Sequence, residues 1–84
     1  MIKIEFEYWL VKYYLAIKPS KESFDVLLGK EEDIIAETTI ERTCEYHFII
    51  DITNFLNRYG IEVNNDETEY LVKDVFFTPK LKRL

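Results

Sequence analysis

Residues 6–17 read FEYWLVKYYLAI, with five rings in twelve positions. Upstream the pattern alternates: Ile2, Ile4, Phe6, Tyr8 and Leu10 fall on one face, and Lys3, Glu5 and Glu7 on the other. Strict alternation of this kind marks a half-buried strand. After Leu10 the phase changes, and Val11, Tyr13, Leu15 and Ile17 alternate against Lys12, Tyr14, Ala16 and Lys18. A slip of one residue carries side chains to the opposite face, so a bulge near Trp9–Leu10 reconciles the two halves within one long strand. Phe6, Trp9, Leu10, Tyr13, Tyr14 and Ile17 also match helical spacing. The density of aromatic and β-branched side chains favours the strand. Such a strand carries rings on both faces, so it is either covered on both sides or exposes some of them.

Beyond it, KPSKES at 18–23 interrupts the pattern at Pro19. Phe24, Val26 and Leu28 alternate as a strand, Gly29 with KEED has turn character, and β-branched residues dominate 34–43. We read 24–42 as a hairpin. The competing helix, capped by Ser20, would carry Gly29 in its interior at about 1 kcal/mol relative to Ala.

The clearest helix follows. Asp51 can cap it, Ile52, Phe55, Leu56 and Tyr59 recur at helical intervals, Arg58 suits the negative end of the dipole, and Gly60 suits the stop. Its start is ambiguous, because CEYHFII at 44–50 reads equally as the beginning of the helix or as strand. NNDET at 64–68 has turn composition, and EYLVKDVFF at 69–77 reads as a last buried strand ended by Pro79. KLKRL is read as part of a loose basic tail over 79–84.

These elements predict a single α+β domain over 1–84. It has a small, mostly antiparallel sheet of about four strands and one principal helix near 51–59 packed on one face, in the order strand, strand, strand, helix, strand. A chain of 84 residues buries about 60% of the surface its unfolded form exposes, so its core must be rich in apolar material. With 48% hydrophobic and 15% aromatic residues it has that material, and disorder is rejected. The single cysteine, Cys44, offers no disulfide framework. MIKIEFEYW lacks the basic start and cleavage site of a signal peptide, and no apolar run approaches the ~20 residues of a membrane helix. These features predict a soluble, cytoplasmic protein with no membrane association.

The net charge of −5 is unevenly distributed. Residues 1–30 hold five Lys against four acids. Residues 31–69 hold eleven acids against Arg42 and Arg58. Residues 70–84 hold four basic residues against Asp74. This balance opposes binding to duplex nucleic acid, which depends on neutralising phosphates. It suits a protein partner with a basic surface.

Motifs that carry chemistry are sparse. Cys44 and His47, the only thiol and the only imidazole, stand three apart and share a face only if 44–47 is helical. Two such ligands fall short of the roughly four that a zinc site needs. Glu31, Glu32, Asp33 and Asp66, Glu67, Glu69 form acidic clusters beside turn residues, and neither has the spacing of a calcium loop. Gly29 and Gly60 stand alone, so no phosphate-binding loop is present. The sequence therefore predicts no enzyme, no catalytic residues, no metal and no cofactor.

The leading expectation is a small acidic protein-binding module of the inhibitor, immunity or adaptor type. It would occupy a partner's surface through Glu31, Glu32, Asp33, Trp9 and Tyr14, its carboxylates imitating nucleic-acid charge in the strongest form of the idea. Two further readings stand beside it. One is a homodimer that completes its core across exposed rings or an open strand edge. The other is single-stranded nucleic-acid binding through Tyr14, Lys12, Lys18 and the basic tail, which the acidity makes the less favoured.

Overall fold

The structure is a computed structural model, and it describes residues 1–77. Four strands, β1 (Ile2–Tyr8), β2 (Val11–Pro19), β3 (Ser23–Lys30) and β4 (Asp33–Glu41), precede two helices, α1 (Glu45–Arg58) and α2 (Asn65–Leu71). The strands form an antiparallel meander in the order β1-β2-β3-β4. The α+β class, the four-stranded antiparallel sheet and the main helix on the sheet are as the sequence predicts. The proposed tail at 79–84 lies outside the described residues.

Three local expectations are corrected. The first concerns residues 6–17. The phase change is not a bulge in one strand; it is the turn of a tight hairpin. Tyr8 pairs with Val11, and the register runs without a shift to Ile2 opposite Ile17. The turn residues are Trp9 and Leu10, neither of which is a turn former. The second concerns the helix start. Asp51 is exposed in the middle of α1, and the first turn begins after Cys44, whose extended backbone accepts the Phe48 N–H at 3.0 Å. The buried stripe Phe48, Ile49, Ile52, Phe55 and Leu56 has helical spacing throughout, and this decides the ambiguity of 44–50.

The third concerns 64–77. There is no strand at 69–77. Asn64 and Glu67 form a reciprocal capping box, with bonds of 2.8 and 2.9 Å, that starts α2 in place of the predicted turn. Turns then continue through Phe77. Thr68, Val72 and Val75 are buried at intervals of four and three, the period of a helix and not of a strand. The fourth strand is instead β2, hidden within the stretch read as one strand.

The end of α1 is as expected. Gly60 takes a φ of 88°, its N–H reaches the Asn57 carbonyl at 3.1 Å, and the Ile61 N–H reaches the Leu56 carbonyl at 3.0 Å. This doubly bonded left-handed cap also buries Ile61.

The core lies between one face of the sheet and the helices. Leu15 and Ile17 of β2, Phe24, Val26 and Leu28 of β3, and Ile40 of β4 meet Phe48, Ile52, Phe55 and Leu56 of α1. Thr53 and Thr68 join the two helices: the Thr53 hydroxyl donates to the Ile49 carbonyl at 2.8 Å and lies 2.7 Å from the Thr68 hydroxyl. Coverage fades toward one side. The inward side chains of β1, Ile2, Ile4, Phe6 and Tyr8, remain only half-buried.

Candidate functional site

The β1–β2 turn is the most unusual feature of the backbone. Trp9 and Leu10 have φ values of 52° and 65°, the left-handed pair that defines a type I′ turn. Such turns are normally built from Asn-Gly, because a Cβ in the left-handed region costs about 1–2 kcal/mol per residue. Here the two positions hold bulky apolar side chains that are 82% and 91% exposed. The only ring near the Trp9 indole is Tyr8, edge-on at 6.3 Å among the described residues. Neither local propensity nor burial accounts for this pair. The unbroken β1–β2 ladder, which closes at Tyr8–Val11, holds the pair in this conformation.

Glu31, Glu32 and Asp33 sit at the β3–β4 turn, all exposed, with Glu31 at a φ of 55°. The two turns lie at the same end of the sheet, because Tyr13 pairs with Lys30. Two interstrand spacings separate the hairpins, or about 10 Å. The β1–β2 hairpin runs two residues further, by about 7 Å, so Trp9 and Leu10 project furthest from the sheet. A shallow concavity on the open face reaches the β3–β4 turn, lined by Glu5, Glu7, Lys12, Tyr14 and Glu31 among others.

Tyr14 belongs to this concavity but its ring is not free. It lies over Gly29, its cross-strand partner, where an added Cβ would overlap the ring. Lys3 Nζ stands 4.8 Å from the ring centroid and is itself paired with Glu5 at 3.8 Å. Tyr14 therefore supplies the side-chain cover that Gly29 lacks. Gly29→Ala is expected to destabilise the protein by about 1–3 kcal/mol through overpacking. In a Tyr14→Ala background the same change should become neutral or stabilising, since Ala is better than Gly in a strand interior. Urea titrations of the four proteins measure this; an equal cost in both backgrounds would separate Tyr14 from Gly29.

The arrangement also bears on the nucleic-acid reading. Lys12 and Lys18 are six strand residues apart, or about 20 Å, and the Tyr14 ring between them is already engaged. Lys18 faces Asp25 across the ladder, and Lys12 faces Glu7. Lys12, Tyr14 and Lys18 share the open face of β2.

Cys44 and His47 do come together, with Sγ and Nδ1 3.4 Å apart in the first turn of α1. Both are exposed. Among the described residues no group of three or more His, Cys, Asp or Glu is placed to hold a metal ion. None of their helices is long and apolar enough to cross a membrane.

Sequence reasoning missed a second surface. Between β1 and α2 runs an apolar groove lined by Phe6, Tyr8, Val63, Tyr70 and Leu71, and bordered by the carboxylates of Glu7, Glu62, Asp66 and Glu67. The Tyr8 hydroxyl accepts the Glu62 N–H at 3.1 Å, tying β1 to the segment before α2. Tyr70 stands 82% exposed at the margin. The available signal was Asn64 followed by Glu67, a capping box that places 65–71 on a helix.

Comparisons of the chain with protein-family models, with curated proteins and with solved structures give no match.

Proposed function

We propose that this protein is a small non-enzymatic binding module that acts by occupying the surface of a partner protein, as an inhibitor, immunity protein or adaptor does. The observation that carries the proposal is the Trp9–Leu10 tip, two exposed apolar side chains held in a left-handed turn that favours other residues. Trp is among the side chains that dominate interface energetics, because it buries a large area with few rotatable bonds. Glu31, Glu32 and Asp33 stand about 12 Å away, two interstrand spacings across and two residues back along the sheet. They add a negative field that would speed encounter with a basic surface and choose among partners.

The test is capture from a lysate of the source cell or its host with tagged protein. Wild type is compared with Trp9→Ser and with a variant carrying Glu31→Lys, Glu32→Lys and Asp33→Lys, after circular dichroism shows that all three fold. The expected result is a protein retained by wild type, lost with Trp9→Ser, and retained by the Lys variant only weakly and with less dependence on salt. Retention of the same proteins by wild type and Trp9→Ser, or retention of nucleic acid alone, would overturn the proposal.

A further inference from the structure

The two edges of the sheet are finished differently. β4 carries a register irregularity, where Leu28 pairs with Ala36 but Gly29 pairs with Ile34, and α1 packs against it. Irregularity and cover are devices that protect an edge from pairing with another chain. Among the described residues β1 has neither: its seven residues pair in unbroken register with β2, and no strand neighbours its other side. Bonding residues alternate along an antiparallel ladder, and the pair flanking a two-residue turn is bonded inward. By that alternation, Lys3, Glu5 and Glu7 direct their backbone N–H and C=O groups outward.

Beside this open edge lies the β1–α2 groove. Its floor is apolar, from Phe6, Tyr8, Val63 and Leu71, and every charged side chain that lines it among the described residues is acidic. We infer that the groove receives an extended segment of a partner protein in which apolar residues alternate with Lys or Arg, and that this segment adds to β1 as a fifth strand. Strand addition supplies main-chain bonds, and alternate side chains supply selectivity. One face of the segment covers the half-buried side chains of β1; its cations, on the alternate face, meet Glu7, and Glu62 and Asp66 add to the negative field around the groove. A second copy of this chain fits less well, because it brings the same carboxylates to the seam. The inference rests on the binding-module reading and specifies what kind of segment that partner presents.

The experiment uses the full chain, labelled with ¹⁵N, and a blocked nine-residue peptide alternating Lys and Val. Its control is the same peptide N-methylated at alternate residues, which keeps the charge but cannot pair along one edge. The expected result is chemical-shift change confined to 2–8 and 62–71, with slowed amide exchange at Lys3, Glu5 and Glu7. Affinity should fall about tenfold when Glu7→Gln, Glu62→Gln and Asp66→Asn are combined, which removes one exposed ion pair and most of the negative field of the groove. No binding at millimolar peptide, equal binding of the methylated control, or shifts centred on 31–33 would overturn the inference. So would edge amides already protected without peptide, whether the protection depends on protein concentration (a second copy) or disappears when 78–84 are deleted (the chain's own basic end). Failure here leaves the Trp9–Leu10 tip standing. Loss of the tip's role in lysate capture, with peptide protection intact, overturns only the other reading.

Discussion

Replacing Trp9–Leu10 with Asn–Gly is expected to stabilise the protein by about 1–2 kcal/mol and to abolish partner capture. The gain has a definite origin. Both positions are in the left-handed region, where Asn and Gly are tolerated and a bulky side chain crowds its own carbonyl. The native side chains recover little in return, since they are almost fully exposed. In a domain of this size each kcal/mol corresponds to about 4–8 °C in Tm. The urea midpoint should rise with an unchanged slope, showing that stability and not compactness has changed. A stabilised variant that no longer binds is the signature of strain retained for function. If the midpoint falls, Trp9 supports the hairpin through contacts such as that with Tyr8, and the tip is structural. If the midpoint rises and capture is unaffected, the partner does not use the tip.

Phe48→Ala is expected to have the largest effect on folding, a loss of about 3–5 kcal/mol. Phe48 is buried at the sheet–helix interface, its ring 4.4 Å from that of Phe24 and 5.9 Å from that of Phe76. Phe24 and Phe76 stand 5.7 Å apart, so the three rings close a triangle. Arg42 completes the cluster. Its guanidinium lies 4.2 Å from the Phe24 centroid, Nη1 donates to the Phe76 carbonyl at 2.7 Å, and Nε donates to the Ser20 carbonyl at 3.0 Å. Removing Phe48 leaves a cavity beside a partly desolvated cation, whose Nη2 is buried with no hydrogen-bond partner among the described residues. The cluster also anchors the turns that follow α2 to the end of the sheet. A domain this small has a margin on the order of 5 kcal/mol, so the variant should be largely unfolded by circular dichroism near physiological temperature. Phe77→Ala, at the exposed neighbour of Phe76, should change stability by less than about 0.5 kcal/mol. A cooperative midpoint for Phe48→Ala within about 1 kcal/mol of wild type would show that the ring triangle is not central to the core.

The legibility of the fold in the sequence varies by element. The hairpin at 24–42 was readable because Phe24, Val26 and Leu28 alternate and charged residues separate them from a β-branched run. The end of α1 was readable because Gly60 is chemically suited to the left-handed cap it forms. The first hairpin was not. Its phase change at Leu10 was visible, but a bulge and a turn both produce one, and Trp-Leu lacks the chemistry by which turns are recognised. The stretch 69–77 misled for a different reason. Its apolar density suits a strand, while its burial follows the helical positions Thr68, Val72 and Val75.

Of the proposed interaction residues, Trp9, Glu31, Glu32 and Asp33 stand exposed at one end of the sheet, and Tyr14 lies nearby as the cover of Gly29. Their shared location was not legible, since it depends on Tyr13 pairing with Lys30 across β2 and β3. The β1–α2 groove was hidden altogether, as its walls come from residues more than fifty positions apart.

What the sequence alone determined is what local chemistry controls: the class of the fold, the hydrophobic material of the core, the helix around Ile52–Leu56 with its glycine stop, and the concentration of acid in the middle of the chain. These follow from periodicity, composition and capping, which act over a few residues. The tertiary structure decided the rest. It turned Trp9–Leu10 into a tip, because pairing Ile2 with Ile17 and Ile4 with Leu15 along one face outweighs the strain of two left-handed residues. It also left β1 half-covered beside an acidic groove, because the helices have their full contact over the centre of the sheet and bury the strands there first.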